Sequence, residues 1–270
     1  MHILIFCLTD DAVARSLHDV LFLQGQRELR LVTAAELAFA TWLHQADRNG
    51  EFFTRIRLQD GFIIEPAMIQ KAVNRIPYFQ MPHFINPADR QYAETEMYAL
   101  YISFLRSIKD KLPDGMPVQH INNADNTLFS TTMAIKAGME VLETQFTSAP
   151  RWHQAKSLPA MDPAKKDTVL WHKHSPHLVW ENKPVLYNES FSTLIKVEVV
   201  ADRLFCHMAL PKQWRQKIEK FSRLMGRTVY EFTLADVKGK YKFYAVNTRP
   251  LMMTPAAIEA FCSLLTSKKR

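Results

Sequence analysis

Residues 238–250 read KGKYKFYAVNTRP, a strand-like run that ends in an amide, a cation and a proline turn. Phe243, Ala245 and Asn247 alternate with Tyr244 and Val246, so the run supplies two faces and puts its polar residues at one end. Lys238-Gly239 is a turn signal, and VYEFTLADV before it has strand composition, which makes the pair a hairpin.

Upstream, a helix with Ile218, Phe221, Leu224 and Met225 on one face stops at Gly226. TLIKVEVVADRLFCHMAL reads as two long strands around Ala201-Asp202, and PVLYNESF and TVLWHKH as further strands. The stretch 149–166 is rich in Pro, Ala and Lys and reads as an irregular connector or short helices, preceded by a helix over about 127–137 ending at Gly138 and a strand in EVLETQFT. At the N-terminus HILIFCL is a buried-strand run. Thr9, Asp10 and Asp11 then cap a helix carrying Val13, Leu17, Val20 and Leu21, and LRLVT is the next strand. That order opens an α/β layer with parallel pairing. FFTRIRLQDGFIIEP is a hairpin, AMIQKAVNRI a helix, and ADRQYAETEMYALYISFLRSIK the longest helix of the chain. KDKLPDGMP is a turn-rich break, which divides the chain into an N-terminal lobe, 1–117, and a second region, 118–270.

The 270 residues carry Lys+Arg 34 against Asp+Glu 27, a net charge of +7 spread along the chain, which suits a solvated surface better than a nucleic-acid partner. Three separated cysteines in no C-x-x-C arrangement fit free thiols in a reducing compartment. The opening apolar run is too short for a membrane span and lacks the flanks of a signal peptide, so a cytoplasmic protein is expected. All seven glycines are used as punctuation, which excludes a P-loop or a G-x-G-x-x-G fingerprint. His172, His174 and His177 form H-x-H-x2-H, a spacing that could hold zinc with an acid such as Glu181, but with no second Cys or His cluster at metal spacing half-exposed strand histidines are the more ordinary account. No G-x-S-x-G occurs, and Cys7 and Cys206 lie in apolar runs expected to make them small hydrophobes.

The order YNESF, LIKVEVVADRLF, RLMG, VYEFTLADV, YAVNTRP resembles the ATP-grasp family, and the N-terminal half resembles that family's pre-ATP lobe. The resemblance implies a mixed α/β fold of sheet lobes around a cleft, with ATP and Mg²⁺ as cofactors. It also implies activation of a carboxylate for transfer to an amine, with a peptide or small carboxylate as substrate. By this resemblance Lys173 would reach the phosphates and Glu189 the adenine or ribose. Lys196 would stand where the family commonly has arginine, with Arg249 as a second catalytic cation. Glu231 or Asp236, together with Asn247, would hold metal. Ala245 occupies the place of the family's bridging glutamate, the lysine at the start of the Thr127 helix is missing, and only 14 residues separate Lys173 from Asn188, too few for the glycine-rich lid. Two functions follow: a carboxylate-amine or peptide ligase with altered metal ligands, or a non-catalytic protein that binds a peptide, nucleotide or partner protein in the old cleft.

Overall fold

A computed structural model describes residues 1–48, 52–81, 84, 86–115, 123–142, 144–146, 185–187 and 191–267. Strand β1 (His2–Cys7) is the middle of a parallel sheet, with β2 (Leu29–Thr33) on one side and β6 (Ile69–Asn74) on the other. Buried on both faces, β1 reads as an unbroken apolar run. Helix α1 (Ala12–Leu23) connects β1 to β2; the Asp11 carboxylate caps it, accepting from the Ala14 amide at 3.0 Å.

The segment AMIQKAVNRI is not a helix. A short 3-10 turn at Pro66–Met68 leads into β6, which pairs with β1. Ile69, Ala72 and Val73 have spacing that a helix could also use, but the free edge of β1 supplies backbone partners and burial that a lone helix would lack. An antiparallel sheet of β3 (Thr41–Ala46), β4 (Phe52–Arg57) and β5 (Ile63–Ile64) includes the expected hairpin. Strand β3 and the short helix α2 (Ala34–Ala38) before it are additional elements; Thr33 and Glu36 close a capping box on α2. Helix α3 (Pro87–Ser107) buries Tyr101, Phe104 and Leu105 against Phe6 and Ile56 in the N-terminal core.

In the second region α4 (Asn123–Lys136) precedes a small antiparallel pair, β7 (Thr144–Phe146) and β8 (Val185–Tyr187). A four-stranded antiparallel sheet follows in the order β10 (Arg203–Phe205), β9 (Thr193–Val200), β11 (Val229–Val237), β12 (Lys240–Asn247). Strand β10 is much shorter than the sequence suggests, because the chain leaves the sheet at Cys206. Helix α5 (Lys212–Met225) lays Trp214, Ile218, Phe221 and Met225 on one face of this sheet, whereas Leu224 points outward. The last helix, α6 (Pro255–Thr266), returns to the N-terminal lobe and packs Ile258, Phe261 and Leu265 with Val13 and Leu17 of α1. The two ends of the chain therefore share one core.

Pro113–Gly115 also runs against Gly226–Thr228. The Thr228 hydroxyl donates to the Pro113 carbonyl, and a methyl group on Gly115 would run into the Gly226 carbonyl oxygen. Gly115 also has φ +81°, in the left-handed region. Gly115→Ala is expected to destabilise the protein by about 1–3 kcal/mol in urea denaturation, because backbone lies on both sides of the clash.

Candidate functional site

The face of the four-stranded sheet turned away from α5 carries Lys196, Glu231, Ala245 and Asn247 from among the residues singled out. Cross-strand register puts Glu198, Glu231 and Asn247 in one row and Lys196, Thr233 and Ala245 in the next. A β-bulge brings this about. Leu234 faces Phe243 while Thr233 faces Ala245, so Tyr244 is an extra residue in β12. The simple alternation expected from KYKFYAVN is broken there. Phe243 and Val246 both join the α5 side, and Tyr244 and Ala245 join a small cluster on the other, where Tyr244 packs edge-on against Phe191.

Lys196 and Glu231 meet at 3.5 Å, with the lysine 68% exposed and the glutamate 13%. Burial raises the Glu231 carboxyl above the ordinary glutamate range, and the Lys196 ammonium opposes that shift. A folded-state value above the unfolded one means that the native protein binds more protons. Glu231 therefore costs stability as pH rises from the ordinary glutamate value through its folded value. Glu231→Gln should remove that part of the decline, so urea midpoints measured across the acid to neutral range should fall less steeply with pH than in the wild type.

Glu198, next in the row, is committed elsewhere. Its two oxygens accept from the Thr254 amide at 2.8 Å and the Thr254 hydroxyl at 2.5 Å, fixing the N-terminus of α6 to the sheet. The Asn247 side-chain oxygen accepts from the Arg249 amide at 2.9 Å, closing the turn after β12. Asp236 stands five residues from Glu231, at the hairpin end, where it faces Tyr241 and caps the turn by accepting from the Gly239 amide at 2.7 Å. A strand rises about 3.3 Å per residue, so Asp236 cannot share an ion with Asn247. Of the acids and amides proposed for metal, the fold brings Glu231 and Asn247 together and sets Asp236 apart. Lys173, Glu189 and the histidines of WHKHSPH lie outside the described residues.

Two buried arginines hold the turn that carries Arg249. Arg227 donates to the Thr248 carbonyl at 3.2 Å and the Gly115 carbonyl at 2.9 Å, and stands 4.0 Å from the buried Asp114 carboxylate. Arg75 donates to the Pro250 carbonyl at 2.8 Å and pairs with Asp11 at 2.7 Å, both side chains nearly inaccessible. Neither arginine was legible as part of this region from the sequence; the only cue was an Asp-Gly and a Gly-Arg at the ends of helices far apart in the chain.

The donor set does not fit the Mg²⁺ sites that the sequence resemblance implies. Mg²⁺ wants octahedral oxygen ligands at about 2.0–2.1 Å, usually with one or two carboxylates. Here the Ala245 methyl stands where a bridging carboxylate is expected, Glu198 is oriented by hydrogen bonds from Thr254 to both of its oxygens, and Glu231, the other acid of the row, already faces Lys196. Among the described residues no group of three or more His, Cys, Asp or Glu side chains is placed to hold a metal ion. No described helix is long and apolar enough to cross a membrane.

No family model matches the chain, and no curated protein is similar to it in sequence. Solved structures are similar in fold. The macrocyclase MdnC from Microcystis aeruginosa MRC, bound with precursor peptide MdnA, aligns with a TM-score of 0.70 at 11% identity, covering 98% of this chain and 99% of that one. A RiPP-associated ATP-grasp ligase of Chryseobacterium gregarium, in complex with ADP and a leader and core peptide, gives 0.67 at 12% identity, covering 98% and 96%. The macrocyclase MdnB from the same Microcystis gives 0.61 at 16%, covering 98% and 99%. With its parallel N-terminal sheet, its four-stranded antiparallel sheet and the polar row over β9, β11 and β12, this chain has the mixed α/β fold of the ATP-grasp ligases.

Proposed function

We propose that this chain is a peptide-binding protein built on the ATP-grasp fold, and that it does not carry out Mg²⁺-dependent ligation. The observation that carries this reading is the row beside Asn247, where Ala245 supplies no ligand and both oxygens of Glu198 accept from Thr254. Among the described residues, Glu231 is the one carboxylate of the row not hydrogen-bonded to Thr254, which leaves little charge to hold the cations that offset phosphoryl-transfer chemistry. Peptide is the ligand class favoured because two similar structures are described as complexes with precursor, leader or core peptides. Lys196, exposed on that face, would act as a cationic anchor for a bound chain.

A second reading, an ATP-dependent carboxylate-amine or peptide ligase with altered metal ligands, is favoured by the retention of Glu231 opposite Asn247 with Lys196 beside it. ADP release in the presence of ATP, Mg²⁺ and a random peptide pool separates the two. The binding reading expects no release above the protein-free rate, together with peptide retention that needs no nucleotide and is weakened by Lys196→Glu. Peptide-stimulated ADP release that disappears in Glu231→Gln would establish the ligase.

A further inference from the structure

On the other side of the same sheet, a groove opens between β10 and the first turn of α5. It is an open depression of about 550 Å³ lined by the apolar Leu204, Cys206, Met208 and Leu210 and by the cationic Lys212 and Arg215. Leu204, Cys206 and Leu210 pack on the α5 side of the sheet, the face opposite Lys196 and Glu231. The groove is thus separate from the cleft face.

The start of α5 breaks a local rule. A helix N-terminus carries the positive end of the helix dipole and unpaired amides, and it favours acidic side chains or a side-chain cap. Helix α5 begins after Pro211 with no side-chain cap and no acid in its first turn, and places Lys212 and Arg215 there instead, three residues apart and so on one side. Both are exposed, and no ion pair involves either one among the described residues. The fold gains nothing visible from this arrangement, and places where sequence defies local preference without structural compensation are where binding is expected. Two cations over uncapped amides suit a carboxylate, and the apolar lining suits a hydrocarbon side chain next to it. Strand β10 adds main-chain partners, since it is the outermost strand of its sheet and no described strand pairs its other edge.

We infer that this groove receives the free C-terminus of a peptide chain ending in an apolar residue. The last side chain lies on Leu204, Met208 and Leu210, the terminal carboxylate meets Lys212, Arg215 and the start of α5, and the preceding residues run along the edge of β10. The inference is independent of the reading of the cleft, because it uses neither Asn247 nor Glu231.

Cys206, partly exposed in the groove, makes the test local. Burial pushes the Cys7 thiol up to about 12 and the Cys262 thiol up to about 11, so both stay unreactive at neutral pH while Cys206 reports. Alkylation by N-ethylmaleimide would be followed by mass spectrometry with a pool of octapeptides ending in Leu, Ile or Val, either as free acids or as C-terminal amides. The free-acid pool should slow Cys206 modification, and the amides should need about tenfold higher concentration, the scale of one charge-assisted contact. In Lys212→Glu/Arg215→Glu, which suits the helix dipole and should fold, acid and amide should no longer differ. Equal protection by acids and amides would overturn the inference, as would no protection by either pool. Protection by decanoate but not by the peptides would assign the groove to a fatty acid and overturn it equally.

Discussion

Arg75→Met should cost about 3–5 kcal/mol of folding stability, the scale of a broken buried ion pair and a large part of a typical domain's total. Arg75 stands at the end of β6 and reaches across the lobes. It neutralises Asp11 at 2.7 Å and donates to the Pro250 carbonyl at 2.8 Å. Methionine fills similar space without charge and leaves the Asp11 carboxylate buried and unpaired. Asp11 also caps α1 through the Ala14 amide, so strain there spreads to the helix that α6 packs against. Urea denaturation of Arg75→Met and of Arg75→Met/Asp11→Asn tests the cause. Asparagine keeps a capping oxygen and removes the charge, so the double variant should recover much of the loss; two losses that simply add would mean that the pair is not coupled.

Arg227→Met should be nearly as damaging, about 3–5 kcal/mol, with a pH signature of its own. The side chain ties the Gly115 and Thr248 carbonyls together and faces Asp114, whose carboxyl is raised by burial and held down partly by this guanidinium. Without Arg227 the Asp114 carboxyl should rise further. An acid with a raised folded-state value takes up protons on folding, so stability falls as pH climbs from the ordinary aspartate value through the folded one. The deficit of Arg227→Met relative to wild type should therefore be smallest in acid and grow toward neutral pH. A deficit independent of pH would mean that only the two carbonyl contacts were lost.

Much of this architecture is written locally. The β11–β12 hairpin, the helix that stops at Gly226 and the capped α1 each carry their own turn or cap chemistry, and they fold as that chemistry suggests. In β6, Ile69, Ala72 and Val73 satisfy helical spacing, and only the free edge of β1, brought close by the fold, decides for strand. The closing helix α6 was overlooked, although Thr254-Pro255 is a helix-start signal. At the candidate site the strand-end asparagine and its alanine neighbour were visible from the start. The bulge at Tyr244 was not, because an extra residue in a ladder leaves no mark beyond the sequence of both strands. The use of Glu198 to hold Thr254 was equally invisible, since it joins residues that only the folded sheet brings together. Asp236 looked like a ligand for lack of any sequence sign that it caps its own hairpin.

The peptide-binding reading proposed above requires that the row beside Asn247 does not hold a Mg²⁺-nucleotide complex. Calorimetric titration of the wild-type protein with ADP, with and without millimolar Mg²⁺, tests it most directly. Mg²⁺ should leave ADP affinity unchanged, or ADP should not bind at all. A Mg²⁺-dependent gain of about tenfold or more, lost in Asn247→Ala, would contradict it.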